Sequence, residues 1–530
     1  MPRRRLLLVN PAHGTTFWGF EYAMDLAGGA YSNAPLAILT VAALTPDDWD
    51  VAIADENVRP LDLDAPCDVV GITAMNAQAI RAFELADAFR ERGRTVVMGG
   101  PFATLQPERC LPHADVVVVG EAERTWPQFC RDFERGEHRR RYEETEKIDL
   151  TQSPVPRYDL VQPHDYASLP IQTTRGCPFD CEFCDIIVMQ GRRVRTKTAD
   201  QVVAEVEAIR RAGGHSIFFS DDNFVGNLKA TRELLDALIA HRERTGYAPG
   251  YFTQASLNLA DRPELLERMT RAGFTRVFLG IESPRQTSLS ESGKRQNTHG
   301  DLIDRIRTIQ RAGLIVWAGM IVGFDHDDEK IFEEQAEFLD EAAIAVAMVG
   351  MLNAPPKTRL FARLQQEGRI APHADWADNC AYTNIVPKQM TRSQLFGGYA
   401  ELVQEIYRQD NYARRLVRAI ERMGEAVPGT ASARTPSMAE LRDLWRAVRT
   451  FTFTADPVRR RHFVPNLLRL ARARPSRIVE GAIHLGLWKH FERYVPELVE
   501  RLHQAERAER LREREESYAR SAGRRKLAVL

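Results

Sequence analysis

The chain of 530 residues has little cysteine, no long apolar run and no excess of charge of either sign. Seven cysteines are too few for a disulfide framework, so we expect reduced thiols and a cytoplasmic protein. No apolar stretch is long enough to span a bilayer, and the apolar run after the basic first five residues is too short for a signal peptide. The balance of 72 basic and 73 acidic residues argues against a nucleic-acid-binding protein.

Three of the cysteines lie close together, at Cys177, Cys181 and Cys184, in a Cx3Cx2C spacing. Three thiolates can hold three irons of a [4Fe–4S] cluster and leave the fourth iron open for a small molecule. Zinc sites usually use two CxxC-like pairs, and no second Cys or Cys/His pair follows here, which disfavours zinc. The remaining cysteines are expected to be buried apolar residues: Cys67, Cys110, Cys130 and Cys380.

Residues 1–135 alternate short β-branched runs with helical patterns, which predicts an α/β fold with a doubly wound parallel sheet. Ligands of such sheets bind at the carboxyl ends of the strands, where glycine allows close approach of the backbone. A turn glycine without ligand contact is the alternative. No GxGxxG follows the first strand, which disfavours a nicotinamide or flavin site. The candidate residues at these strand ends are Thr73, Gly99, Gly100, Gly120 and Glu121.

Residues 136–168 are charged and dotted with proline, and we interpret them as a linker. Residues 169–385 repeat helix and strand patterns, and Arg-Ala-Gly recurs at 211–213, 271–273 and 311–313, each time before an apolar strand. These repeats predict a partial (β/α)6 barrel, whose chemistry lies at the carboxyl ends of its strands. The predicted strands are Pro170–Thr174, Ser216–Phe219, Tyr251–Ala255, Arg276–Leu279, Ile315–Ile321 and Val346–Leu352.

Residues 386–530 lose the strand signals and form a predicted helical domain. Its interleaved aromatics indicate a bundle core or, alternatively, a lid over the barrel. Gly429–Pro436 is a small-residue segment that predicts a mobile loop. The predicted helices are Gln394–Met423, Met438–Phe451, Pro457–Ala473, Ser476–Tyr494 and Pro496–Ala519.

The string Gly-Cys-Pro-Phe-Asp-Cys-Glu-Phe-Cys after the first barrel strand resembles the radical S-adenosylmethionine superfamily. The resemblance implies that the three cysteines hold the cluster, whose open iron chelates S-adenosylmethionine, and that Phe183 lies near the adenine. Asp221 and Asp222 would contact the methionyl amine, although an N-cap of the next helix is the alternative. Further contacts implied for this cofactor are Gln254 and Ser256 at the ribose, Glu282 beside it, and the backbone of Gly323 on the adenine side.

The first sheet resembles a cobalamin-binding domain, and its fusion to a radical barrel resembles the cobalamin-dependent radical S-adenosylmethionine enzymes. The likeness is closest to the branch that contains the hopanoid 2-methylase. Many cobalamin domains carry DxHxxG after the first strand, whereas this chain has Asn-Pro-Ala-His-Gly at 10–14. We therefore expect His13 to be an ordinary loop residue and the lower face of cobalt to be unligated or to hold water.

The family likeness implies that one electron cleaves S-adenosylmethionine, that the resulting 5′-deoxyadenosyl radical abstracts hydrogen from a carbon, and that methylcobalamin methylates that carbon. It also implies a reduced electron donor such as ferredoxin or flavodoxin. We expect C-methylation of an unactivated carbon in a small molecule or lipid. A cobalamin-dependent ring closure or rearrangement without methyl transfer is an alternative, as is a non-catalytic iron–sulfur or zinc scaffold.

Overall fold

The computed structural model describes residues 3–371, 381–424, 438–454 and 456–527. Its first part alternates strands and helices, as the sequence predicts. These elements are β1 (Arg4–Asn10), α1 (Met24–Ala27), β2 (Tyr31–Asn33), α2 (Leu36–Leu44), β3 (Trp49–Asp55), β4 (Val69–Thr73), α3 (Ala79–Glu91), β5 (Thr95–Gly99), α4 (Gly100–Leu105), α5 (Pro107–Cys110), β6 (Val116–Val119), α6 (Ala122–Glu134) and β7 (Arg141–Glu143).

The first sheet has six parallel strands in the order β3-β1-β4-β5-β6-β7. Its central strands are buried on both faces, and all four valines of β6 are buried, which explains their continuous apolar composition. Strand β7 lies inside the predicted linker, so the sheet extends further along the chain than the sequence indicated. The predicted boundaries near residues 135, 168 and 385 stay a prediction.

The second part contains strands at five of the six predicted positions, and the first barrel strand runs over Tyr166–Ile171 rather than the predicted Pro170–Thr174. Its elements are β8 (Tyr166–Ile171), β9 (Thr174–Arg175), α7 (Ile186–Met189), β10 (Arg195–Thr196), α8 (Ala199–Ala212), β11 (Ser216–Phe219), α9 (Leu228–Thr245), β12 (Gly250–Ala255), α10 (Pro263–Ala272), β13 (Phe274–Glu282), α11 (Gln286–Glu291), α12 (Leu302–Arg311), β14 (Ile315–Val322), α13 (Ile331–Ala342), β15 (Ala347–Met351) and α14 (Arg359–Gln366).

These strands form a seven-stranded parallel sheet in the order β15-β14-β13-β12-β11-β8-β2. Alternate residues of β13, such as Val277, Leu279 and Ile281, are fully buried in the main apolar core. The intervening residues Arg276 and Phe278 are only half-buried and belong to the opposite face. The inner face of the half-barrel therefore borders a lumen.

Strand β2 comes from the first part of the chain but pairs with β8 at the edge of the barrel sheet. The segment before β2 also leaves the first sheet, because the rings of Phe17 and Phe20 lie 5.4 and 6.1 Å from that of Phe491 near the C-terminus. The two parts of the chain are thus interlocked, which the sequence did not predict.

Five helices follow the barrel: α15 (Arg392–Tyr407), α16 (Gln409–Arg422), α17 (Met438–Thr452), α18 (Pro457–Ala473) and α19 (Ile478–Leu527). The predicted helix Gln394–Met423 is two helices. The two predicted helices on either side of Val495 are one continuous helix that includes Pro496. The predicted loop Gly429–Pro436 lies outside the described residues.

The C-terminal helices pack on the β15 edge of the half-barrel. The hydroxyls of Tyr399 and Tyr407 donate hydrogen bonds to the carbonyls of Val349 (2.6 Å) and Ala347 (2.7 Å). The aromatic residues Phe451, Phe463, Trp488, Phe491 and Tyr494 are buried, as expected of a bundle core, whereas Trp445 and Phe453 are exposed.

Within the described ranges, none of the helices combines the length and apolarity that crossing a membrane requires.

Candidate active site

The cysteine loop (residues 176–194) leaves the half-barrel after β9 and returns through β10. These two strands pair antiparallel, so the loop begins and ends at the same place. Gly176 at its start has φ +92°, and a Cβ there would lie 2.7 Å from the carbonyl oxygen of Arg193. Only glycine fits at this position, where the two ends of the loop pass close to each other, without a shift of the backbone.

Burial raises the pKa of the three loop thiols, that of Cys184 to about 12, and repulsion from Cys181 adds to the effect at Cys177 and Cys184. Metal binding must therefore displace protons from them. In the described part of the chain, no three Cys, His, Asp or Glu residues gather as tightly as a single metal ion requires. Three thiols in one loop that interact electrostatically suit a cluster, in which each thiolate binds its own iron.

Lys294 and Glu282 form a buried ion pair beside these thiols. The Lys294 ammonium donates a 2.6 Å hydrogen bond to Glu282, and each side chain is 10% exposed. Glu282 and the nearby thiols raise the pKa of Lys294 against the opposing effect of burial. The sequence predicted Glu282 as a contact of S-adenosylmethionine, and that contact stays a prediction. The sequence analysis missed Lys294, whose only signal is one lysine in a polar segment.

Glu282 ends β13 in a left-handed conformation, with φ +71°. The register between β13 and β14 shifts at this point. The Asn297 amide donates hydrogen bonds to the carbonyls of Gly280 (2.9 Å) and Ile281 (3.0 Å) and thereby holds the irregular strand end. Backbone strain of this kind is characteristic of functional sites.

Asp221 and Asp222, which the sequence placed at the methionyl amine, have different surroundings. Asp221 is fully buried and accepts hydrogen bonds from the amides of Thr173 (2.7 Å) and Thr174 (2.6 Å) and from the Thr173 hydroxyl (2.6 Å). Its carboxylate therefore holds the entry to the cysteine loop. The alternative that an aspartate caps the next helix is wrong, because Asn227 caps α9.

Asp222 keeps a buried carboxylate oxygen, Oδ2, without a hydrogen-bond partner. Burial and the charge of Asp221 raise its pKa to about 7, and it acts electrostatically on Cys177. The adjacent Asn223 has a buried amide nitrogen without a partner, while its oxygen accepts from the Ser256 amide (3.2 Å) and hydroxyl (3.1 Å). An unpartnered acceptor and donor beside Cys177 fit a polar cofactor such as S-adenosylmethionine.

The other predicted contacts of this cofactor lie at the same end of the half-barrel. Gln254 is half-buried on the lumen face of β12. The half-buried Phe183 ring lies 6.1 Å from that of Phe324. The Gly323 amide is already used, because it donates a 2.9 Å hydrogen bond to Asp327. These contacts stay predictions.

Thr73, Gly99, Gly100 and Gly120 lie at the carboxyl edge of the first sheet, where Thr73 and Gly99 are directly paired. A Cβ on Gly100 would lie 2.5 Å from the Thr73 hydroxyl oxygen, and Gly100 and Gly120 both have φ +89°. This glycine-lined edge fits a large planar cofactor that approaches the backbone.

Glu121 has another partner in the structure. Its carboxylate accepts hydrogen bonds of 2.7 and 2.8 Å from Arg195 and lies 3.2 Å from Arg175, and both arginines flank the cysteine loop. Although burial opposes the effect, Arg195 and Arg175 lower the pKa of Glu121. Arg175 also pairs with Glu123 at 2.7 Å. This network joins the first sheet to the cysteine loop, and a direct contact of Glu121 with cobalamin stays a prediction.

His13 lies at the carboxyl edge of β1, with its ring stacked 6.1 Å from that of Tyr31. Burial lowers its pKa to about 4.

Elsewhere, Cys67, Cys110 and Cys130 are buried as predicted, and Cys380 lies outside the described residues.

Aromatic rings line the lumen below the cysteine loop. Phe218 stacks on Phe252 at 5.0 Å, and Phe252 lies 5.2 Å from Trp317. Trp18, from the segment before β2, lies 5.0 Å from Phe278. The Arg276 guanidinium lies over the rings of Phe252 (5.1 Å) and Trp317 (5.2 Å), so this face combines aromatic surface with one positive charge.

Comparisons with known proteins agree with this arrangement. The model of the radical SAM superfamily matches residues 171–339, that of the B12 binding domain matches residues 27–129, and a domain of unknown function, DUF4070, matches residues 358–504. An uncharacterized methyltransferase of Synechocystis sp. is 35% identical over 83% of this chain and 84% of its own length. The hopanoid C-2 methylase of Rhodopseudomonas palustris is 34% identical over 69% of this chain and 71% of its own.

Among solved structures, the cobalamin-dependent S-adenosylmethionine radical enzyme OxsB, with aqua-cobalamin and S-adenosylmethionine bound, aligns with a TM-score of 0.60 at 15% identity. The alignment covers 96% of this chain and 83% of OxsB, and it supports the fold.

A cluster-type cysteine loop on a half-barrel, joined to a B12-binding sheet, defines a radical enzyme that uses cobalamin. The chain belongs to the cobalamin-dependent radical S-adenosylmethionine enzymes. Its cofactors are a [4Fe–4S] cluster, S-adenosylmethionine and cobalamin. The alternative of a non-catalytic scaffold is wrong, because the family consists of enzymes.

Proposed function

We propose that this protein is a C-methyltransferase that methylates an unactivated carbon of an apolar small molecule or lipid. The observation that carries the proposal is the position of Glu121, which follows Gly120 at the predicted cobalamin edge and binds Arg175 and Arg195 beside the cysteine loop. The two cofactor regions are thereby held next to one another. The methyltransferase names of two relatives that span most of the chain support this activity.

When bound, the cluster and S-adenosylmethionine supply a hydrogen-abstracting 5′-deoxyadenosyl radical, and cobalamin supplies the methyl group. The protein positions these groups and excludes water. Asp222 and Asn223 offer an acceptor and a donor to the methionyl end of S-adenosylmethionine, and Lys294 places a positive charge beside the thiolates. Asp221 fixes the loop through the amides of Thr173 and Thr174.

The aromatic lumen supports an apolar substrate. The side chains of Trp18, Phe252 and Phe278 are only half-buried, so part of their ring surface is left for an apolar group. We further propose that the enzyme works in the cytoplasm, because its described cysteines outside the loop are free and an iron–sulfur cluster needs reducing surroundings.

The test is anaerobic reconstitution of the full chain with iron, sulfide and cobalamin, followed by dithionite and S-adenosylmethionine labelled in its methyl group. We expect 5′-deoxyadenosine, and we expect an extract of a strain lacking the gene to gain a labelled compound heavier by one CH2 unit. Cys181→Ser should abolish both products, whereas the matched variant Cys67→Ala, at a buried thiol outside the loop, should keep them.

Formation of 5′-deoxyadenosine with a changed compound that carries no label would contradict methyl transfer. That outcome would favour the alternative of a cobalamin-dependent ring closure or rearrangement.

A further inference from the structure

A depression of about 1070 Å³ lies on the outer side of the cysteine loop. The loop itself forms one wall, with Pro178, Phe179 and Asp180. The segment after α11, including Gly293 and Gln296, forms the adjoining part of the lining. The lumen residues described above do not line this depression, so it is a second concavity beside the same cysteines.

Only a thin layer of protein separates the depression from the cysteines. The Gln296 amide nitrogen, which belongs to a lining residue, lies 3.9 Å from the sulfur of Cys181. The Glu182 amide donates a 2.8 Å hydrogen bond to the Ser292 carbonyl, and a Cβ on Gly293 would lie 2.7 Å from the Asp180 carbonyl oxygen. A partner seated here would contact the cluster loop directly.

The exposed charges around the depression are mainly basic. Arg192 and Arg359 have side chains that are 58% exposed, that of Lys388 is 47% exposed, and Arg295 is also exposed. We call these four residues the basic rim. Only Asp180, whose side chain is 41% exposed, adds an accessible negative charge.

The other acidic residues of the depression are largely buried and already paired. Glu182 accepts a 2.6 Å hydrogen bond from Arg363, and Asp325 accepts from Arg363 (2.8 Å) and Arg369 (2.6 Å). Three rim residues share these local pairs, because Lys388 lies 3.0 Å from Asp325 and Arg192 and Arg359 lie 3.8 and 3.2 Å from Asp180. The positive character of the rim comes from Arg295 and from the greater exposure of the cations. Clustered exposed charge of one sign steers the encounter with a partner of opposite charge.

We propose that this depression and its basic rim are the docking surface of an acidic one-electron carrier protein of the flavodoxin or ferredoxin class. The inference rests on the proposed function, because it names the source of the electron which that function needs. In the step, the reduced carrier loses one electron and the oxidised cluster gains it. The thin wall at Gln296 and Cys181 keeps this transfer short.

The test compares two reductants on the reconstituted enzyme, with 5′-deoxyadenosine as the readout. Dithionite is small and needs no docking surface, whereas reduced flavodoxin does. The rim variant is Arg295→Glu combined with Lys388→Glu, at two exposed lining residues outside the cysteine loop. The matched control, Arg211→Glu with Arg244→Glu, makes the same charge change at two exposed arginines near the helix C-termini of α8 and α9, at the other end of the half-barrel.

For the rim variant we expect kcat/KM for flavodoxin to fall about tenfold or more, with the dithionite-driven rate and the iron content unchanged. The control should match the wild type with both reductants. The flavodoxin-driven rate of the wild type should fall as salt is added, because salt screens exposed charges.

Equal flavodoxin kinetics for the rim variant and the control would overturn the docking proposal. An equal loss with both reductants would also overturn it, because the two rim residues would then act on the cluster site itself. If the iron-loaded wild type forms no 5′-deoxyadenosine even with dithionite, the proposed function fails first, and this result is distinct from the other two.

Discussion

Lys294 donates a 2.6 Å hydrogen bond to Glu282 inside the protein, and this pair stands beside the three cysteines of the loop. Buried charges are stable only when they are paired, so each residue of the pair depends on the other. The same ammonium offsets part of the negative charge that three thiolates would bring together. The pair therefore joins the strained end of β13 to the electrostatics of the cluster site.

Replacing Lys294 with Met should lower the free energy of unfolding by about 3–5 kcal/mol, because Glu282 is left as a buried unpaired charge. The double variant Lys294→Met with Glu282→Gln should recover most of that stability but not the rate of 5′-deoxyadenosine formation. Urea unfolding of the apoprotein and turnover of the reconstituted enzyme measure the two effects. Recovery of turnover in the double variant would show that the pair has only a structural role.

Asp221→Asn and Asp222→Asn should separate the positioning of the cysteine loop from the binding of S-adenosylmethionine. Asp221→Asn disturbs the contacts to the amides of Thr173 and Thr174 and should cost about 1–3 kcal/mol of stability, with loss of bound iron. Asp222→Asn changes a carboxylate whose buried Oδ2 has no hydrogen-bond partner, and it should leave stability and iron content intact while raising KM for S-adenosylmethionine. If the two variants behave alike in iron content and KM, the distinction is wrong.

Gly176→Ala and Gly191→Ala form a matched pair in the cysteine loop. Both glycines have positive φ, so each substitution carries a backbone cost of about 1–2 kcal/mol. A Cβ on Gly176 would also lie 2.7 Å from a carbonyl oxygen, whereas one on Gly191 meets nothing within 4 Å. We expect Gly176→Ala alone to lose most of its iron in a colorimetric assay. Equal iron retention would contradict the tight crossing at Gly176.

Glu121 should make the attachment of the first sheet to the cysteine loop dependent on pH. Its pKa in the folded protein is lowered by Arg195 and Arg175 from the ordinary value of 4.5. A lowered pKa stabilises the folded state above pH 4.5, and this contribution is lost as the pH falls below that value through the folded pKa.

The measurement is the difference in unfolding free energy between the wild-type apoprotein and Glu121→Gln, taken from pH 7 down to pH 3. The difference should shrink as the pH falls through this range. Glu108→Gln serves as the control, since Glu108 makes only an exposed ion pair with Arg141. A constant difference for Glu121→Gln would disprove the role of its charge.

The barrel strands were predictable because their physical causes are local. In β11, β13 and β14, apolar residues that face the helices recur at every second position, and the helix before each strand ends at a glycine such as Gly213. The assignment of the three cysteines as cluster ligands is also a local inference, because all three lie in one loop, and it stays a prediction.

Contacts between distant parts of the chain were not predictable. Lys294 reaches the cysteines only because the segment after α11 folds over the loop, and β2 pairs with β8 across more than a hundred residues of intervening sequence. The continuous helix through Pro496 is a similar case. Its neighbours Val495, Leu498 and Val499 are buried, and their packing outweighs the usual tendency of proline to end a helix.

Strand β2 makes the two sheets depend on one another for folding. A shortened chain that starts after residue 135 would expose one edge of β8, with its amide and carbonyl groups open to pairing with other molecules. It would also lack Phe17 and Phe20, which fill space against the C-terminal helix. We therefore expect the catalytic half to aggregate when it is produced alone. The part that performs radical chemistry and the part that holds the methyl carrier would then fold only together, as one unit.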